Sequence, residues 1–394
     1  MGKLLRVAAL GLAALIILSG CADGTTGSDE QTVTVWAYPT ISDDARHKEL
    51  WANLVSRFNE TNPEVKIDVE IFPWAKRDEA LQTAITSDTA PDLVYLVPDQ
   101  LSSYEASIEP MNTYLGQDRR NTLLPNVAQA VTAGDRLLGA PMLISSNPLV
   151  CSATAFRAAG VMTYPSTWED VTEMAPRFTE KGMYALTYSA DPGQTLNMSF
   201  YPLLWQAGGS VFDADEQIAF NSPQGVRALE FLTALARGNA LEPDSLTTAL
   251  NTEQTEFAAG HSGCTWSIPA VDLAPLLGEE NVVVLPPLTD EQSVAYGTVG
   301  SLSLLKGSQN KEAAGRFAAF VTDPVNSIDY LRAGGYFSPA AGTTPLYASS
   351  PLQSEVRITS RCSAMGFCTR MASPAGRKRR SSALSTKLKL MTSW

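Results

Sequence analysis

A chain of 394 residues, 44% of them hydrophobic, can bury a sizeable core, and its length favours two lobes over one domain. Its formal net charge is -12, and every acidic residue lies between positions 21 and 356. So acidic a body argues against a general nucleic-acid binder and suits neutral or cationic ligands.

Residues 1–20 differ from the rest of the chain. Lys3 and Arg6 precede an apolar run from Val7 to Leu18, the pattern of a secretory signal and short for a membrane span. An uncleaved N-terminal anchor is the alternative. The run closes with Leu18-Ser19-Gly20-Cys21, which resembles the bacterial lipobox. That resemblance implies cleavage before Cys21, lipid on its new N-terminus, and anchorage at the outer face of the cell membrane. Residues 21–31 then read as a flexible polar tether.

The body opens with a strand carrying Val33, Val35 and Trp36. A helix follows, with Leu50, Trp51, Leu54, Val55 and Phe58 at three- to four-residue spacing and Asn62-Pro63 as its stop. "VKIDVEIF" alternates as a second strand, Pro73-Trp74 turns into a helix with Leu81, Ala84 and Ile85, and Leu93–Val97 is a third, buried strand. This β-α-β-α-β order predicts a parallel, doubly wound sheet, whose ligands bind at the carboxyl ends of the strands. Asp92, at the start of the third strand, is assigned to turn chemistry with Pro91.

A second unit begins after "LLGAPMLISSNPLVCS". Ser166 with Glu169 reads as a capping box, "ALTYSA" as a strand, and Ser222, Pro223 and Gly238 as the start and stop of one helix. "TEFAAGHSGCTW" reads as a helix running through Gly260 into a strand, and "NVVVLPPL" as another strand. "AYGTVGSLSLLKGS" and the alanine-rich helix "NKEAAGRFAAFVTDP" return to the first pattern. Cys151 and Cys264 are open to two readings, a disulfide or two buried thiols.

Taken in order, these features resemble the extracellular sugar-binding proteins of ABC importers, the maltose-binding-protein-like solute-binding proteins. The residues that carry the likeness are the lipobox, "FNETNPEVKIDVEIFPW", "APDLVYL", "GAPM", "AGVMTYPSTWEDV", "LLWQAGGSVFD", "FNSPQGVRALEFL", "FAAGHSGCTWS" and "NKEAAGRFAAFV". The resemblance implies an α/β, two-lobed periplasmic-binding-protein-like fold, each lobe a mixed, mainly parallel sheet flanked by helices. Lobe 1 would hold residues 32–143 and 288–337, and lobe 2 residues 144–287, with residues 338–356 crossing back. Crossings are expected near Pro141–Asn147, Leu285–Leu288 and Gly335–Pro339. Implied partners are a carbohydrate ligand and permease subunits with a separate ATPase, with no cofactor, no metal and no nucleic acid, the protein itself acting as a monomer.

Sugar recognition needs polar groups for hydroxyls and aromatic rings for the apolar ring faces. Tyr38, Trp74, Asp99 and Gln100 fall at strand ends in the first unit, with Asp99 also a candidate helix cap. By resemblance, Ser145 and Asn147 lie in the first crossing, Ser145 standing where maltose-binding protein places a carboxylate. Tyr201 matches a family aromatic, Trp266 follows the strand "SGCT" as a stacking candidate, and Ser301 is a polar contact.

An enzyme finds little support. The two histidines, His47 and His261, adjoin no nucleophile motif, and neither G-x-S-x-G nor a Walker A motif occurs. Asp43 and His47, four apart, suit a solvated helix face better than a metal pair. A binding protein for a non-sugar solute and an extracellular glycan-active enzyme remain the alternatives. From Arg357 the composition changes to nine basic and no acidic residues. Disorder is the plain reading, and our hypothesis for its origin is a reading-frame shift near residue 357.

Overall fold

The computed structural model of the protein describes residues 31–189, 196–213, 215, 217–244 and 252–343. The readings of the signal segment, of Cys21 and of the basic tail lie outside these residues.

The strands are β1 (Gln31–Ala37), β2 (Val65–Ile71), β3 (Leu93–Leu96), β4 (Ile108–Glu109), β5 (Thr132–Ala133), β6 (Arg136–Leu137), β7 (Ala140–Ser146), β8 (Leu149–Ser152), β9 (Tyr184–Thr187), β10 (Ser262–Thr265), β11 (Val282–Leu285) and β12 (Gly297–Leu305). One sheet runs β2-β1-β3-β12-β4, with β7 also paired to β12. A second runs β11-β8-β10-β9, and β5 and β6 form a small hairpin. The expected parallel winding holds for β2, β1 and β3. The long β12 instead runs antiparallel to β3, β4 and β7, so the sheet is mixed. In the second sheet, β10 is parallel to β9 and antiparallel to β8.

The helix Asp44–Asn59 shows how the sequence sets the layers. Asp43 caps it by accepting the Arg46 N–H, and the stripe Leu50, Trp51, Leu54 and Phe58 is buried against the first sheet. Phe58 meets Phe317 of the helix Lys311–Val321 edge-on at 5.1 Å. His47 lies on this buried stripe and not on the solvated face expected of it. Its Nε2 meets the Tyr330 hydroxyl at 2.8 Å and accepts the Trp51 indole N–H at 3.1 Å, and burial lowers its pKa.

Asp92 does more than shape a turn. Its Oδ2 accepts the Thr34 N–H at 2.8 Å, and its Oδ1 accepts the Ser308 hydroxyl at 2.5 Å, tying β3 to β1 and to the chain after β12. The second capping box sits one residue later than expected: Thr167 and Asp170 cap the helix Trp168–Thr179, because Asp170 reaches the N–H groups of both Ser166 and Thr167. The helix expected in "TEFAAG" is a run of turns over residues 255–260, and Gly260 turns the chain with a left-handed φ of 79°.

The chain passes from the first sheet to the second between Ser146 and Leu149, and returns between Leu285 and Gly297. Near Gly335–Pro339 it runs beside β7, where Ile144 and Phe337 exchange two backbone hydrogen bonds. The helix Ala270–Leu277 packs between the two units: Leu273 joins the core of the first sheet, and Asp272 accepts a hydrogen bond from the Ser42 hydroxyl at 2.7 Å. Cys151 and Cys264 face each other on β8 and β10 and form a disulfide.

Candidate functional site

Because β1, β2 and β3 are parallel, their carboxyl ends meet at one edge. Each end is followed by an apolar residue, a proline or an aromatic, which turns the chain there and delivers a side chain to the edge. Tyr38 follows β1. It is 1% exposed, stacks on Trp74 at 5.0 Å with an interplanar angle of 20°, and meets Tyr95 edge-on. Its hydroxyl finds no hydrogen-bond partner among the described residues, and burial pushes its pKa up to about 12.

Trp74 follows β2, is 40% exposed, and donates its indole N–H to the Pro39 carbonyl at 3.1 Å. Lys76 takes a left-handed φ of 61°, and the tight turn sets Arg77 over the Trp74 ring, 5.2 Å from its centroid. After β3, the helix Pro98–Tyr104 carries Asp99 in its first turn. The Asp99 carboxylate lies near its own and the Gln100 backbone N–H, at the positive end of that helix without being its N-cap. The side chain remains open to solvent, yet protein crowds it on most sides. Lost hydration raises its pKa, Arg77 pulls it down, and Asp78 pushes it up.

Two expected contacts are structural instead. Gln100 is buried: its Oε1 accepts the Val97 N–H and its Nε2 donates to Asp78 at 2.6 Å, so the amide is spent on capping. Ser301 is fully buried on β12 and donates its hydroxyl to the Leu96 carbonyl at 3.1 Å, with no surface left for a ligand.

The other candidates lie where the two units join. Ser145 is half-buried near the end of β7, opposite Thr298, beside a cavity of about 10 Å³ that it lines with Tyr296 and Thr298. That is room for about one water, not a sugar ring. Asn147 donates its backbone N–H to the Tyr296 carbonyl at 3.0 Å and its side-chain amide to the Trp266 carbonyl at 3.3 Å, which ties the first passage to the second sheet. Trp266 is 7% exposed and packs in the core of that sheet, edge-on to Tyr188 at 5.7 Å; its face is not free to stack in this conformation. Tyr201 is half-buried on the helix Phe200–Gln206, beside Phe200 and Trp205, with its pKa raised by burial.

Sequence reading missed three members of the edge. Arg77 lowers the pKa of Tyr38, Tyr95, Tyr104, Tyr296 and Asp99 against the burial that raises them, and so is central to the electrostatics of the edge. Tyr95 is buried in β3, crossing Gly300, where a Cβ would lie 1.8 Å from its hydroxyl. Tyr296, in the second passage, feels the Asp99 charge and hydrogen-bonds Thr298 and Asn197, bringing both units to Asp99. The one available signal was the aromatic of "AYGTVG", shortly after the predicted crossing at Leu285–Leu288. Among the described residues, no group of three or more His, Cys, Asp or Glu side chains is placed to hold a metal.

Over residues 44–327 the chain matches the family of bacterial extracellular solute-binding proteins. It belongs to that family. An uncharacterized lipoprotein of Streptomyces antibioticus, from the 5′ region of oleD, is 26% identical over 222 residues, covering 54% of this chain and 47% of that one. The structure is similar to maltose-bound MalE3 of T. maritima, with a TM-score of 0.75 and 18% identity over 91% of this chain and 99% of that one. It is also similar to an ABC-transporter solute-binding protein of Thermotoga lettingae TMO bound with alpha-D-tagatose, with a TM-score of 0.72 and 21% identity over 88% and 89% of the two chains. At these identities the likeness establishes the two-lobed periplasmic-binding-protein fold. Among the described residues, no helix of this solute-binding protein is long and apolar enough to cross a membrane.

Proposed function

We propose that this solute-binding protein is the lipid-anchored capture subunit of a carbohydrate ABC importer. It takes a sugar or oligosaccharide between its two lobes and presents it to a permease served by a separate ATPase. The observation that carries this reading is the strand-end edge of the first sheet, where an open carboxylate, Asp99, stands with Trp74, Tyr38 and Tyr296. Carboxylates accept from sugar hydroxyls, and the aromatic groups beside Asp99 keep the edge partly apolar. Support comes from the two structural neighbours that hold maltose and tagatose.

The lobes would divide as residues 32–143 with 288–337, and 144–287, hinged at the two passages where Asn147 and Tyr296 meet. Closure would then be a shift of population, because only the closed form lets a ligand touch both lobes. Lipid at Cys21 would hold the protein outside the cell membrane, a reading supported by "LSGC" and by the lipoprotein relative. The protein binds and releases its ligand without turnover.

The test is thermal unfolding against a panel of neutral mono- and oligosaccharides, with product analysis of each mixture. Stabilisation that grows with sugar concentration and leaves the sugar intact is expected. No shift with any member, or cleavage of one, refutes the reading.

A further inference from the structure

Trp74 is the exposed aromatic of the edge, yet two neighbours lie against its ring. Tyr38 stacks on it at 5.0 Å, and Arg77 lies over it at 5.2 Å. The Arg77 guanidinium therefore occupies space over the indole that a stacked pyranose would need. The Arg77 side chain is 20% exposed, and its nearest carboxylate approach, from Nε to Asp78, is 3.8 Å. That is too long for a hydrogen bond, and the Arg77 side chain makes none among the described residues. A guanidinium held over an indole by its cation–π attraction keeps its N–H groups for another partner. Nearby, Asp99 offers acceptor oxygens close to backbone N–H groups and exposed to solvent.

We propose that Arg77 is the residue that reads the ligand in this cleft, that Trp74 is a positioning residue holding its guanidinium in place, and that Arg77 and Asp99 together grip two adjacent hydroxyls of a neutral saccharide. The inference rests on the sugar-binding reading above. A hydroxyl both donates and accepts, so a vicinal pair matches a donor-only fork beside an acceptor-only carboxylate. An acidic sugar would face Asp78 and Asp99, and an amino sugar would face Arg77. Trp74 thus serves the site through Arg77 and not as a stacking surface.

A double-mutant cycle tests this. The wild type is first screened with neutral mono- to tetrasaccharides, including maltose and tagatose. Calorimetry with the tightest-binding member then compares Trp74→Leu, Arg77→Met, and the pair. Methionine keeps an apolar stem over the indole, and equal thermal midpoints show that the fold survives. Arg77→Met is expected to weaken binding roughly 10- to 100-fold, the loss of a charged hydrogen-bonding group. Trp74→Leu should weaken it nearly as much, and the double variant no further than Arg77→Met alone. Arg77→Lys, which keeps the charge without the fork, should not restore affinity. Losses that multiply would return Trp74 to a stacking role, and unchanged affinity in Arg77→Met or rescue by lysine would remove Arg77 as the reader; any of these overturns the proposal. If the wild type binds no member of the panel, it is the sugar-binding reading that falls, and this inference with it.

Discussion

The two sheets end in different chemistry. The parallel strands of the first sheet deliver Tyr38, Trp74 and Asp99 to one edge, with Arg77 and Asp78 at the start of the helix beside them. The comparable end of β10 delivers Trp266, buried among apolar neighbours and with its indole N–H unpartnered among the described residues. The second sheet is instead cross-braced. A disulfide joins β8 to β10, and the buried Glu242 accepts the Thr187 hydroxyl at 2.6 Å and the Glu256 N–H at 2.9 Å. Open charged groups suit an edge that exchanges water for ligand. Closed apolar packing suits a rigid wall against which that exchange takes place.

The largest expected effect breaks the bracing. The disulfide spans 113 residues of sequence. Replacing both cysteines by alanine should cost about 4–5 kcal/mol by the loop-entropy account. Denaturant unfolding measures it, and a loss below about 1 kcal/mol would show that the second sheet is braced by something else. Next, Glu242→Ala removes an acceptor from the Thr187 hydroxyl, which keeps Ser262, and from the part-buried Glu256 N–H, and should cost about 1–3 kcal/mol, read from the same curves.

On the open edge the order of effects reverses, with function lost before stability. Asp99→Asn should weaken saccharide binding roughly tenfold, by loss of a charged acceptor, while the thermal midpoint holds or rises. It rises if anything because burial disfavours the native carboxylate, a penalty that asparagine does not incur. Equal losses of affinity and stability would erase the contrast between the two edges.

The smallest effect concerns His47, behind the first sheet. Its folded pKa lies below the usual 6.5, so the unfolded chain takes up the proton first as pH falls. Stability should therefore be fully present above that value and decline as pH drops below it, until the folded pKa is reached. Unfolding at pH 7.5 and 5.5 checks this, and His47→Asn should flatten the difference. A wild type equally stable at both values would contradict the buried, neutral histidine.

Much of the fold was legible. The β1 to β3 run, the cap at Ser222 and the apolar stripe from Leu50 to Phe58 are local patterns that burial only completes. Less of the site was. Asp99 and Trp74 could be placed at strand ends by period and punctuation. Gln100 and Ser301 could not be told from ligand contacts, since an amide or hydroxyl reads the same whether it faces Asp78 and Leu96 or a sugar. His47 looked solvated because its burial depends on Tyr330, 283 positions away. Arg77 was passed over because only the left-handed turn at Lys76 lays it on Trp74.

The sequence by itself determined the alternation of strands and helices, the ends to which side chains are delivered, and the acidity of the body. These come from periodicity and composition, which act over a few residues or over the whole chain at once. The tertiary structure alone decided which way β12 runs, that Cys151 and Cys264 are bonded, and which polar groups stay open. Those outcomes depend on contacts between residues far apart in the chain. A buried donor takes the nearest acceptor wherever the sheet brings one, as Gln100 does with Asp78, and Arg77 keeps its fork because the sheet brings it none.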